Sequence, residues 1–122
     1  MWKFEDGIPL VTQIAAKLRS DIISGIYMPG GDFPTTRQLA REAGVNPNTM
    51  QKAIAILEDE GIVLTDSTNG RYVSESEERI SALRADVTEA KVAEALRTLK
   101  SLSLDIDTLI DLIRKGWDTD NG

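Results

Sequence analysis

The side chains whose types and spacing suit them for chemistry here are amides, hydroxyls and cations, concentrated in one short run, Asn46-Pro-Asn-Thr-Met-Gln-Lys52. Asparagine and glutamine carboxamides can pair bidentately with adenine, threonine can meet a phosphate or a base, and lysine a phosphate or guanine. The run opens with Asn46, a strong helix cap, and Pro47, a favoured first helical residue. Asn48, Thr49, Gln51 and Lys52 then fall on the outer surface of the helix they begin. A helix start also presents free backbone N–H groups to phosphate. Arg37, one turn into the preceding helix, can lean over the same groove of a duplex that this helix would enter.

Covalent chemistry has little to work with. Cysteine and histidine are both absent, which removes thiol nucleophiles, disulfides, thiolate or imidazole metal sites and the usual general base near neutral pH. No catalytic residue, metal site or cofactor is expected. An enzyme would need carboxylate-only chemistry from residues such as Asp32 or Glu42. No pair of acids sits in an evident cleft, and Asp32 follows turn glycines that account for it.

The elements that must position the run are legible around it. Pro9 at a first-turn position, then Leu10, Val11, Ile14, Ala15, Leu18 and Ile22 at helical spacing, predict a helix over about 9–24, closed by Gly25. The prolines and paired glycines of 27–34 forbid a helix and predict a turn with a short extended piece. Thr35 and Gln38 have capping-box spacing and start a second, short helix with Leu39, Ala40 and Ala43 inward, stopped by Gly44. The third helix starts at Asn46, with Met50, Ala53, Ile54 and Leu57 as its inner face and Gly61 as its end. Two helices thus meet at a tight turn, Ala43-Gly-Val-Asn46, with Val45 placed to plug the gap. Ile62–Thr65 and Arg71–Val73 are β-rich and flank Asn69-Gly70, a hairpin signal, so a two-stranded wing follows.

From Glu75 the pattern is helical again, with Ile80, Leu83, Val87, Ala90, Ala93, Leu96 and Leu99 three or four apart. A helix over 76–100 would be about 37 Å long, more than the small preceding domain can cover. Its stripe therefore needs another partner. A break at Ser101–Ser103 and a cap at Asp105 precede a last helix carrying Ile106, Leu109, Ile110 and Ile113 and ending at Gly116. The fold class expected is mainly α with a small β-wing: an N-terminal winged helix-turn-helix over 1–75 (helix-turn-helix about 36–55, wing about 62–74) and a C-terminal two-helix dimerisation tail over 76–116. Residues 117–122 are expected to lack order. The dimer contact is assigned to Leu83, Val87, Ala90, Leu96, Leu99, Leu102, Ile106, Leu109, Ile110 and Ile113, as packed short helices rather than a continuous coiled coil, because the strict heptad drifts after Ala90.

At 122 residues the chain suits one domain with an appendage. It lacks both a membrane-span-length apolar stretch and a signal pattern, so no membrane partner and a cytoplasmic location are expected. The net charge of −6 argues mildly against nucleic acid. Its distribution argues back. Residues 1–74 carry seven basic and nine acidic side chains and 75–122 carry seven and eleven, while between 33 and 57 Arg37, Arg41 and Lys52 oppose only Glu42.

The segments 8–25, Pro29-Gly-Gly-Asp-Phe-Pro-Thr-Thr-Arg-Gln-Leu-Ala40, Gly44-Val-Asn-Pro-Asn-Thr-Met-Gln-Lys-Ala53, Leu57-Glu-Asp-Glu-Gly61 and Gly70-Arg-Tyr-Val73 resemble the GntR family of bacterial regulators. The short two-helix tail resembles its YtrA-type branch, dimers that often repress transporter operons. The resemblance implies contacts to double-stranded operator DNA at Arg37, at Asn46, Asn48, Thr49 and Gln51, and at Asn69, Gly70 and Arg71 of the wing tip. With Lys52, and with Thr35 and Thr36 at the start of the second helix, these form the expected contact set of an autoregulatory repressor, a homodimer on a pseudo-palindromic operator. A small-molecule effector of unknown identity would be a further partner. Many members carry arginine where this chain has Pro47 and again where it has Gln51, so amide reading by Asn48 and Gln51 is expected to favour adenine-containing steps. Taken singly, Asn46 is also explained as a cap, Asn48, Gln51 and Lys52 as solvated surface, and Asn69-Gly70 as a plain hairpin. The competing whole-chain reading is a winged-helix adaptor that binds protein and not DNA.

Overall fold

The structure is a computed structural model and describes residues 1–68 and 70–120. Its elements are α1 (Leu10–Ile23), α2 (Thr36–Ala43), α3 (Pro47–Asp59), β1 (Val63–Asp66), β2 (Gly70–Val73), α4 (Glu77–Lys100) and α5 (Ile106–Asp120). It is mainly α with a small β-wing. By compactness the chain divides into a first unit, Met1–Val87, and a second that begins at Thr88 within α4.

In the first unit the helical periodicities become one core. Ile14 and Leu18 of α1, Leu39 of α2, and Met50, Ile54 and Leu57 of α3 are fully buried with Val63 and Val73 of the strands. Burying each such side chain contributes about 1.5–3 kcal/mol. Pro9 lies just outside α1, at its cap position, rather than in its first turn. The strands pair antiparallel, Val63 opposite Val73 and Asp66 opposite Gly70.

The segment before α2 does more than turn. Gly30 N–H donates to Val73 O at 2.8 Å, Val73 N–H to Gly31 O at 3.0 Å, and Phe33 N–H to Arg71 O at 3.0 Å, with Asp32 bridged to Tyr72. Residues 30–33 thus lie along β2, joined to it by one isolated β-bridge and its flanking hydrogen bonds. Phe33 is buried there and meets the Tyr27 ring edge-on at 5.1 Å. This pairing sets Arg71 beside the start of α2.

The boundary between units falls later than 75/76. Ser74 N–H donates to Ile62 O at 2.8 Å and the Arg79 guanidinium to Glu60 O at 3.0 Å, so the start of α4 is tied to the end of α3. Ile80 and Leu83 are consequently buried and Val87 packs against the same core. Leu83, expected in the dimer contact, is instead a core residue of the first unit, and Val87 is half-buried on that core.

In the second unit Val92, Leu96, Leu102, Ile106, Ile110, Ile113 and Trp117 are exposed, as is Ala90, while Leu99 and Leu109 are half-buried. Ser103, with φ 54°, turns the chain, and Asp105 accepts from Thr108 N–H at 3.1 Å to cap α5. Helix α5 continues through Gly116 to Asp120, so 117–120 are helical rather than unordered. A glycine stops a helix by adopting positive φ. Gly116 does not adopt it, and a helical glycine costs only about 1 kcal/mol relative to alanine. The expected end at 121–122 lies outside the described residues. Among the described residues, no helix is long and apolar enough to cross a membrane.

Candidate nucleic-acid interface

Local capping chemistry sets the start of both helices of the motif. Thr35 Oγ1 accepts from Gln38 N–H at 3.1 Å while Thr35 N–H donates to Gln38 Oε1 at 2.9 Å, closing the capping box on α2. Gly44 takes φ 74°, a left-handed conformation costly for a side-chain-bearing residue, and its N–H and that of Val45 both return to Ala40 O. Val45 packs against the core between the helices. Asn46 Oδ1 then accepts from Asn48 N–H at 2.7 Å to start α3. The sharp turn follows from two caps and one glycine, each satisfying backbone groups that the helices leave open.

Three of the expected contact residues are exposed and free of internal partners. Arg37, Asn48 and Lys52 make no side-chain hydrogen bond or ion pair among the described residues, so their donors and charges remain available to a ligand. Thr35 and Asn46 are exposed, each with an oxygen held in a cap; Thr49 is half-buried. Gly70 is exposed at φ 80° at the start of β2, and Asn69 lies outside the described residues.

The remaining three, Thr36, Gln51 and Arg71, face one another. Arg71 donates from one terminal nitrogen to Thr36 Oγ1 at 2.8 Å and from the other to Gln51 Oε1 at 2.8 Å. Thr36 Oγ1 in turn donates to Gln51 Oε1 at 2.9 Å. Glu58 stands 3.7 Å from the same guanidinium, its carboxylate held by the Thr65 hydroxyl at 2.8 Å. Arg71 Nε is buried without a hydrogen-bond partner among the described residues, a cost of about 1–3 kcal/mol carried by the group that joins wing, α2 and α3.

Residues 10–73 match the family described as bacterial regulatory proteins, gntR family. The chain belongs to the GntR family. Along 97 residues it is 34% identical to the HTH-type transcriptional repressor YtrA of Bacillus subtilis, a match covering 80% of this chain and 70% of that protein. A GntR family transcriptional regulator from Listeria monocytogenes superposes with TM-score 0.76 at 29% identity, covering 92% of this chain and 98% of that one. The DNA-binding domain of AraR, solved in complex with operator ORX1, superposes with TM-score 0.52 at 25% identity over 61% of this chain and 90% of that one. This GntR chain is therefore a DNA-binding transcription regulator of YtrA type and not an enzyme.

Within that family frame, the geometry changes three expected roles. Gln51 cannot pair bidentately with adenine while its Oε1 accepts from both Arg71 and Thr36. The Thr36 hydroxyl is engaged as donor and acceptor inside the protein. Arg71 is a half-buried cation facing Glu58 rather than an exposed charge at the wing tip. Sequence reading placed all three outward because their partners are 15 to 35 residues away, beyond any local pattern. Arg41, counted above only in the local charge balance, is exposed four residues after Arg37 on α2 and makes no side-chain hydrogen bond or ion pair among the described residues. Its i, i+4 spacing was the available signal.

Proposed function

We propose that the chain is an autoregulatory repressor of a transporter-type operon, acting in the cytoplasm as a dimer on a pseudo-palindromic operator. In this reading α3 enters the major groove, Asn48 meets base edges, and Arg37 and Lys52 meet flanking phosphates together with the amides of the α3 start. The observation that carries it is the set of exposed donors, Arg37, Asn48 and Lys52, unpartnered among the described residues, on a helix pair whose turn is fixed by caps. Exposed apolar side chains of the second unit, Ile106 and Ile113 among them, support the dimer, because a second copy would remove them from water. A dimer also suits a weakly basic reading head, since two half-sites bound together gain avidity that one module lacks.

The test is retention on duplex DNA as a function of salt. Counterion release predicts that log affinity falls linearly with log salt, by about 0.9 per phosphate neutralised. Selection from a random duplex library would then return an inverted repeat with half-sites about one helical turn apart. Salt-insensitive retention, or no enriched sequence, would leave the protein-binding adaptor as the better reading.

A further inference from the structure

We propose that Arg71 is a positioning residue for base recognition: it locks the Gln51 carboxamide with its oxygen inward, so that Gln51 reads guanine through its outward N–H2 group. The proposal rests on the reading that α3 lies in the major groove. Its basis is the closed set of bonds behind α3. Gln51 Oε1 accepts from Arg71 and from Thr36, and Thr36 accepts from Arg71 in turn. Rotating the carboxamide by half a turn would aim two N–H donors at a guanidinium and leave those cationic donors without their acceptor. Glu58, its carboxylate held by the Thr65 hydroxyl, stands near the same guanidinium, and Phe33 N–H fixes the Arg71 backbone carbonyl at 3.0 Å. The oxygen therefore stays inside.

What remains for a ligand is Nε2, which makes no hydrogen bond among the described residues and can only donate. A freely rotating glutamine suits adenine, because adenine presents an acceptor beside a donor. A donor-only group suits guanine, whose N7 and O6 are adjacent acceptors, and is repelled by the cytosine amino group. The same residue type thus acquires the opposite preference through a residue that itself touches no base. Glu58, by balancing the Arg71 charge, also makes Arg71 a poor partner for phosphate.

The test is library selection with duplex DNA, using the full chain and two variants, combined with the salt dependence of binding to the selected site. Wild type should prefer guanine at one base pair per half-site by roughly tenfold over adenine. Arg71→Met should let adenine rise to within about twofold of guanine at that base pair alone, with the salt slope unchanged. Gln51→Glu keeps an acceptor for Arg71 and so keeps the network, but turns the outward group into an acceptor. Its preference should move to cytosine or adenine, whose amino groups donate. The proposal is overturned if Arg71→Met lowers the salt slope by about 0.9 with base preferences intact, for Arg71 would then grip phosphate. It is also overturned if Gln51→Glu retains guanine. Failure of the wild type to enrich any sequence would instead remove the major-groove reading, and this proposal with it.

Discussion

Leu57 and Ile106 are aliphatic side chains of similar size in two parts of one chain, yet Leu57 is 0% exposed and Ile106 is 68% exposed. The first unit buries its own apolar face, from Ile14 to Leu83, and leaves Arg37, Asn48 and Lys52 outside. The second leaves large apolar side chains, Val92, Leu102, Ile106, Ile113 and Trp117, exposed. Large apolar side chains left in water together mark an interaction surface. Under the proposed function the two units answer to different partners: the first folds around itself and offers polar groups to DNA, the second offers the apolar surface a second copy would cover.

The contrast breaks most visibly in stability. Leu57→Ala should cost about 2–5 kcal/mol in urea unfolding, while Ile106→Ala, measured at high dilution where association is absent, should stay within about 0.5 kcal/mol. Equal losses would mean that the second unit is a folded core in its own right. Next comes association. Ile106→Asp combined with Ile113→Asp should give single-chain mass in sedimentation equilibrium and weaken operator binding by about a hundredfold, with the melting of the first unit unchanged. An unaltered mass would place the dimer contact elsewhere.

Smaller effects sharpen the first unit itself. Thr35→Ala opens the capping box and should cost about 1 kcal/mol in the same urea assay. Arg37→Ala or Lys52→Ala should each lower the salt slope of operator binding by about 0.9 with folding untouched, while the same change at Arg114 of the second unit should leave the slope as it was. The smallest effect is on pH. Burial raises the Tyr27 hydroxyl above its ordinary value of 10.0, with Glu42 and then Asp21 adding to the shift. Because the folded value lies above the unfolded one, this stabilisation is full below about pH 10 and is lost as pH rises through the raised value. Tyr27→Phe should flatten that decline in unfolding curves recorded across the alkaline range.

Much of the first unit was legible because its signals are local. Thr35 with Gln38, Asn46 with Pro47, and Gly44 each act within a turn of their own position, and the inner face Met50, Ala53, Ile54, Leu57 repeats with the helix. Where a signal was local but ambiguous, the reading slipped. Gly116 has the composition of a stop yet keeps a helical backbone, and Leu83 has the spacing of an outward stripe yet turns inward because Arg79 and Ser74 tie the start of α4 to the end of α3. The short pairing of 30–33 along β2 is too brief for a period to reveal.

The sequence by itself determined the helices, their caps, the turn between α2 and α3 and the wing, since backbone satisfaction and apolar periodicity are settled among near neighbours. Only the tertiary structure decided which polar groups are free. Thr36, Gln51, Glu58 and Arg71 come from three elements and become one network because the 30–33 pairing sets β2 beside the start of α2. A hydrogen bond fixes direction as well as partner. The orientation of a base-reading amide therefore depends on an arginine 20 residues further along the chain.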